Sequence, residues 1–176
     1  RADYRQGNWH TYAQFLDYLP LRDAVANYEK RPEIGASYYQ TFGNLRFDIT
    51  AESTQFAITS ENNTLPEAQR TRLVPALSYG INEPYGYLNA NVIANNLNYA
   101  INNNSNNTTG ETDFNYTIMQ YALRGGLLFE RDFKIGNRRL LQTLEPELQY
   151  LIVPYVNQTN VPLFDTRDKS LDFSNL

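Results

Sequence analysis

Cysteine is absent from the 176 residues, so neither a disulfide framework nor a thiolate metal site can be built from this sequence. The single histidine, His10, excludes a histidine-based triad and a multi-histidine metal site. No apolar run approaches the roughly 18 residues that a membrane helix needs, and mean hydropathy is low, at −0.56. No long basic run exists and the net charge is −4, which gives no support to a nucleic-acid partner. A phosphate-cradling loop of the G-x-x-x-x-G-K type is missing. Helical stripes are also missing: Arg22 to Lys30 offers a turn or two at most. The chain opens on Arg1 without a charged-then-apolar leader, so a leader was removed or the chain is an excerpt of a longer one.

Low mean hydropathy leaves one membrane architecture open. A transmembrane barrel hides its oily band in alternate residues. Fourteen tyrosines and nine phenylalanines beside one tryptophan suit the aromatic girdles of such a barrel, and equally a tyrosine-rich soluble sheet.

Period-two alternation is present in abundance. Leu45, Phe47, Ile49 and Ala51 alternate with Arg46, Asp48, Thr50 and Glu52. In a strand, side chains two apart share a face, so one face is apolar and the other carries charges of both signs. A helix would scatter these residues around its circumference. The same pattern predicts strands over Trp9–Tyr18, Pro32–Gln40, Thr71–Asn82, Gly86–Ala100 and Tyr116–Arg131, with a further one entered at Leu171. Within Gly86–Ala100 the apolar set changes phase after Asn95, from Leu88, Ala90, Val92 and Ala94 to Leu97, Tyr99 and Ile101. A β-bulge does this, and so does a strand that has left the bilayer. Gly7-Asn8, Phe42-Gly43-Asn44, Asn82 to Tyr85 and Gly136-Asn137 read as turns.

The connections alternate. They run long over 19–31, short over 41–44, long over 57–70, short over 82–86, long over 101–115, short over 132–138 and long over 155–169. One rim of a meander then carries tight turns and the other long loops, which is the asymmetry of bacterial outer-membrane barrels. Gly43, Pro84 and Gly136 are expected on a periplasmic rim, and Asn63, Asn104 and Asn157 outside.

Arg139 to Thr166 is the most informative stretch. Leu140, Gln142, Leu144, Pro146, Leu148, Tyr150 and Ile152 would share one strand face, and Thr143, Glu145, Glu147 and Gln149 the other. The run TLEPELQYLIVPY followed by NQTNVPLFDT closely resembles a signature of the LptD family of lipopolysaccharide-assembly proteins. Arg31-Pro32-Glu33-Ile34, Arg72 to Tyr79 and Gly126 to Arg131 resemble further elements of that family, although Leu123 and Arg124 stand where it usually carries an aspartate. The resemblance covers roughly Trp9 to Leu176.

It implies an all-β, antiparallel, up-and-down transmembrane barrel, with 1–176 a single segment of about eight strands in a ring of roughly 26. The implied activity is insertion of lipopolysaccharide into the outer leaflet of a Gram-negative outer membrane. The implied partners are an LptE lipoprotein plug, lipopolysaccharide, membrane lipid and a periplasmic bridge reached through an N-terminal domain. Leu45, Phe47, Ile49, Leu144, Leu148 and Ile152 would face lipid. Arg46, Asp48, Glu52, Arg124, Glu145 and Glu147 would line the lumen and meet the plug or water. The gate strands and disulfide cysteines of the family would lie elsewhere in the parent chain.

No enzyme, cofactor or metal is expected. Glu145 and Glu147 are two apart on one strand, close enough to shift each other's pKa and prompt a glycosidase reading, but a polar wall needs the same residues. Asp165, Asp168 and Asp172 do not have EF-hand spacing. Pro75 and Pro146 each remove a ladder hydrogen bond within a strand, which predicts a local bulge or kink. Two alternatives remain: a small self-contained barrel, which the missing terminal aromatic disfavours, and a soluble sheet that binds glycans through tyrosine.

Overall fold

The structure is a computed structural model in which residues 1–17, 28–58, 66–102, 113–158 and 164 are described. Eight strands form one antiparallel sheet, and their order follows the chain: β1 (Ala2–Gln6), β2 (Trp9–Leu16), β3 (Glu29–Phe42), β4 (Leu45–Ala57), β5 (Glu67–Glu83), β6 (Gly86–Asn102) and β7 (Asp113–Leu127), closed by β10 (Glu147–Ile152). Between the last two, β8 (Phe129–Ile135) and β9 (Arg138–Leu144) make a two-stranded ribbon. Among the described residues there is no helix. The sheet is open, with β1 and β10 at its edges.

Local chemistry explains the hairpins. Gly7, Gly43 and Gly136 have φ of 57°, 59° and 61°, each followed by an asparagine that needs no positive φ. Glycine in the left-handed region at the first turn position suits a two-residue type II′ turn, whose twist matches the flanking strands. Pro84-Tyr85 makes the fourth short turn. All four lie at one end of the sheet, and the long connections lie at the other, as the loop lengths lead one to expect.

The short-turn rim is staggered. Trp9, the first residue after the first turn, lies in one row with Tyr38, and the next hairpin ends four residues further on, at Phe42. Leu45 lies beside Tyr79, and that hairpin ends four residues beyond, at Glu83. Gly86 lies beside Leu127, but the fourth hairpin ends eight residues beyond, at Ile135.

That extra length corrects the sequence reading of one long strand over Tyr116–Arg131 and one over Leu140–Ile152. Each divides, at Leu128 and at Glu145-Pro146. The ribbon nevertheless keeps the register of the main sheet: Glu147 faces Gly126, and three residues further out Leu144 faces Phe129. Leu127 N–H still donates to the Pro146 carbonyl at 3.1 Å. Proline has no N–H to return, and Leu128 N–H turns instead to the Tyr85 carbonyl at 2.8 Å. The ladder loses its pairing there and resumes. Pro75 behaves differently from the bulge expected of it: pairing to β6 lapses between Leu73 and Ala76 without a change of register. Strand β1 was not expected, because Ala2–Gln6 lacks apolar alternation. The predicted strand at Leu171, Asn63 and Asn104 lie outside the described residues, as does most of the helical turn expected over Arg22–Lys30, whose last two residues, Glu29 and Lys30, belong to β3.

Register carries the alternation across strands. Phe47, Leu77, Val92, Tyr121 and Ile152 form one row over five strands, and Leu45, Tyr79, Ala90, Leu123 and Tyr150 form another. The opposite face carries Thr41, Arg46, Ser78, Asn91 and Ala122.

The phase change after Asn95 is not a bulge. Pairing of β6 with β7 runs unbroken from Gly86–Leu127 to Ala100–Asp113. The apolar residues simply pass to the other face. Ser53, Thr71, Asn98 and Asn115 make a polar row where the apolar rows would continue. On the reverse face Phe56, Ala68, Leu97, Tyr99, Ile101 and Phe114 are buried, and Tyr116, Ile118 and Phe164 pack around them.

Candidate functional site

Strand β4 sets the polar face. Arg46 forks onto Asp48, with Nε and Nη2 donating at 2.8 and 2.7 Å, and its guanidinium lies 4.7 Å from the Tyr39 ring centre. Both charges are solvent-exposed in part, so the pair orients the side chains more than it stabilises the fold.

Further along β4, Glu52 closes a clasp over three strands. Tyr12 on β2 lies directly opposite Gly35 on β3, and Gly35 lies directly opposite Glu52. The Tyr12 ring rests flat over the glycine, where a Cβ would come within 2.5 Å of Tyr12 Cζ. Its hydroxyl thereby reaches the second strand and donates to Glu52 Oε2 at 2.9 Å. Arg70 donates to Glu52 Oε1 at 3.0 Å from the other side, and its guanidinium stands 4.9 Å from the Phe56 ring centre. Beside the clasp, buried Glu33 accepts from Gln14 at 2.6 Å and pairs with Lys30 at 2.7 Å. Charges this deep persist only when paired.

The same geometry recurs at the other end of the sheet. Tyr87 on β6 lies opposite Gly126 on β7, and Gly126 lies opposite Glu147 on β10. A Cβ on Gly126 would come within 2.6 Å of Tyr87 Cε1. The Arg124 guanidinium lies 5.7 Å from the Tyr87 ring centre. Arg124 forks onto the Glu147 carboxylate at 2.8 and 3.2 Å, and Gln149 donates to it as well. An aromatic ring laid over a strand glycine fills the space that the glycine leaves and pins the register there.

The structure thus brings Arg46 to Asp48 and Arg124 to Glu147, and holds Glu52 between Tyr12 and Arg70. It does not make Glu145 and Glu147 a working acid–base pair. Both oxygens of Glu147 are engaged by Arg124, while exposed Glu145 sits in the break before β10. Glu145, Glu83, Tyr87 and Gly126 border a depression of about 340 Å³ at the short-turn rim. Leu45, Phe47, Ile49, Leu148 and Ile152 lie in the apolar rows, and Leu144 extends that face on β9 beside Phe129. Sequence reasoning missed Tyr12, Gly35, Arg70, Tyr87 and Gly126. Only the register between three strands shows their connection.

Above the clasps, aromatic rings close the long-loop end. Phe164 stacks on Phe56 and Tyr99 with ring centres 4.9 and 5.6 Å apart, and meets Tyr28 edge-on at 4.9 Å. Tyr28 in turn donates to the Pro66 carbonyl at 2.9 Å. Burial, and then the neighbouring Tyr99, push the Tyr116 hydroxyl above the ordinary tyrosine range. Among the described residues no group of three or more histidine, aspartate or glutamate side chains could hold a metal ion. Asp165, Asp168 and Asp172 lie outside them.

A family described as LptD, LPS transport system D, matches residues 1–176. The LPS-assembly protein LptD of Legionella pneumophila subsp. pneumophila is 37% identical over 146 residues, covering 79% of this chain and 17% of that protein. The LPS-assembly protein LptD of Burkholderia thailandensis is 34% identical over 168 residues, covering 93% and 21%. That of Burkholderia cenocepacia is 29% identical over 175 residues, covering 98% and 22%. The chain therefore spans about a fifth of the length of the curated relatives it matches.

Proposed function

The chain belongs to the LptD family of lipopolysaccharide-assembly proteins, and from that premise we propose that residues 1–176 are a single section of the wall of an outer-membrane barrel that inserts lipopolysaccharide into the outer leaflet of a Gram-negative bacterium. One observation carries the reading. Unbroken apolar rows cross the sheet on one face, while the other mixes charged, amide, hydroxyl and small side chains with a few apolar ones.

The dimensions support it. On β5 the apolar face runs from Leu73 to Ile81, eight residue steps, or roughly 26 Å along a strand. At the tilt of such barrels this is about 20 Å of height, comparable with their apolar band of roughly 25 Å. Beyond that band the outer phase is water, so Asn98 and Asn115 turn outward and the apolar residues turn in, onto Phe164. The four-residue stagger of successive hairpins is what tilted strands produce when each turn sits at the same membrane depth.

In this reading Leu45, Phe47, Ile49, Leu144, Leu148 and Ile152 face lipid. Arg46, Asp48, Glu52, Arg124, Glu145 and Glu147 line the lumen. The partners are lipopolysaccharide, membrane lipid, an LptE-type lipoprotein plug, and a periplasmic bridge that meets another part of the parent chain. The wall's share is mechanical: no bond is made or broken, and the clasped carboxylates keep polar groups satisfied along a wet interior. Leu77 and Ser78 are neighbours on opposite faces and test the assignment. In the full-length parent, Leu77→Arg is expected to cost about 2–4 kcal/mol and lower the amount of folded protein in the outer membrane, as a cation at mid-bilayer does. Ser78→Arg is expected to leave that amount within about twofold of the unaltered protein. Equal tolerance of both contradicts the assignment.

A further inference from the structure

The fourth hairpin overshoots. Two hairpins step by four residues and this one by eight, so about four residues on each side, roughly 13 Å of strand, stand beyond the rim that the stagger sets. The overshoot is Asp132 to Leu141, folded around Gly136-Asn137. It keeps the register of the main sheet, so Phe133, Ile135 and Leu140 share the face of the apolar rows, beyond a polar row in which Arg131 donates to Gln142 at 2.7 Å. Ile135 is 62% exposed. Lys134 and Arg139 lie directly opposite each other across the ribbon, and Ile135 opposite Arg138. Like charges so placed repel. Among the described residues none of the three cations lies in an ion pair. A tip with apolar side chains on one face and three cations against the one carboxylate of Asp132 has a solvent in which both are satisfied: the headgroup layer of a membrane containing anionic lipid.

We propose that the tip of the β8–β9 hairpin is a lipid-binding element of the short-turn leaflet. The tip lies against the headgroup layer, with Phe133, Ile135 and Leu140 on its membrane side. Lys134, Arg138 and Arg139 bind the phosphates of anionic phospholipids. The inference rests on the barrel-wall reading, since sharing a face with the lipid-facing rows is what turns Phe133, Ile135 and Leu140 toward the membrane.

The test uses the full-length parent in nanodiscs of phosphatidylcholine, with or without phosphatidylglycerol. A bimane fluorophore is attached at Ile135→Cys and, in a second sample, at Phe47→Cys, and quenching by brominated lipid is measured. The expected result is quenching at both sites. At residue 135 it rises about twofold or more with brominated phosphatidylglycerol, and the triple variant K134Q/R138Q/R139Q abolishes the rise. Quenching at residue 47 but not at residue 135 overturns the proposal and puts the tip in water or on protein. Quenching at residue 135 that ignores lipid charge overturns the anionic recognition. Absence of quenching at residue 47 overturns the barrel wall itself, and this inference with it.

Discussion

The hydroxyl of Tyr12 donates to Glu52 across 2.9 Å, and the ring that carries it there crosses an intervening strand at Gly35. Tyrosine is long enough to reach two strands only because the residue between has no side chain. The pairing of Tyr87, Gly126 and Glu147 repeats the arrangement at the short-turn end. The wall is therefore held by its ladders and, at two places, by a tyrosine ring laid over a strand glycine, with the Tyr12 hydroxyl bonding across three strands.

Gly35→Ala tests this geometry. Its Cβ displaces the Tyr12 ring, which separates the hydroxyl from Glu52 and overpacks the wall. The expected loss is about 1–3 kcal/mol, read as a lower urea midpoint of the refolded full-length barrel. Tyr12→Phe keeps the ring and removes one hydrogen bond, so it should cost about 0.5–1.5 kcal/mol. Combining Gly35→Ala with Tyr12→Ala should cost less than the sum of the two single changes.

Phe164 fastens a residue of the last long connection to the inner face of the sheet. Phe164→Ala removes stacking on Phe56 and Tyr99. The residue is half-buried, so the cost should fall below the roughly 3–5 kcal/mol of a fully buried phenylalanine. Phe164→Leu should recover part of it, because the apolar burial remains and the ring stacking does not. Urea midpoints of the two variants decide the order.

Pro146 interrupts a ladder whose register is otherwise continuous from β7 into the β8–β9 ribbon. Pro146→Ala supplies the N–H that proline lacks, and it can donate to Leu127. Amide exchange at residues 127–130 and 144–147 should slow in this variant. Unchanged exchange would mean that the break is set by Leu128 bonding to Tyr85 instead.

Tyr116 lies above the apolar band, where burial raises its hydroxyl pKa. A raised value means that the folded state favours the neutral phenol. The associated stability is complete below the ordinary tyrosine value near 10 and falls as pH rises above it. Alkaline unfolding should therefore be shallower in Tyr116→Phe than in the unaltered protein when both are followed from about pH 9 upward.

Much of this architecture was readable from sequence because its causes are local. Two-residue periodicity in Leu45–Glu52 fixes which side chains share a face. Gly-Asn turns and the contrast of long and short connections place the hairpins. Ala2–Gln6 escaped because its pairing with β2, and not its own pattern, makes it a strand. The clasps were illegible for a stronger reason. Tyr12, Gly35 and Glu52 are far apart in the chain, and one residue of slippage in either ladder would separate them. Glu147 looked like half of a carboxylate pair because Glu145 is two positions away, whereas its partner Arg124 is 23 positions away on β7. The phase change after Asn95 was visible, but choosing between a bulge and an exchange of environments required the unbroken pairing of β6 with β7.

A single-cysteine scan of Leu45 to Phe56, in the full-length protein in its native membrane, bears most directly on the wall. Each site is tested with a lipid-phase probe and a water-soluble thiol reagent. The account predicts that residues 45, 47, 49 and 51 meet the lipid probe and that 46, 48 and 50 meet the aqueous one. It also predicts that 53 and 55 turn to water, while 54 and 56 are shielded from both under the aromatic cluster. Protection of residues 45, 47 and 49 from both reagents would show that this face is packed against protein, and the barrel wall would have to be given up.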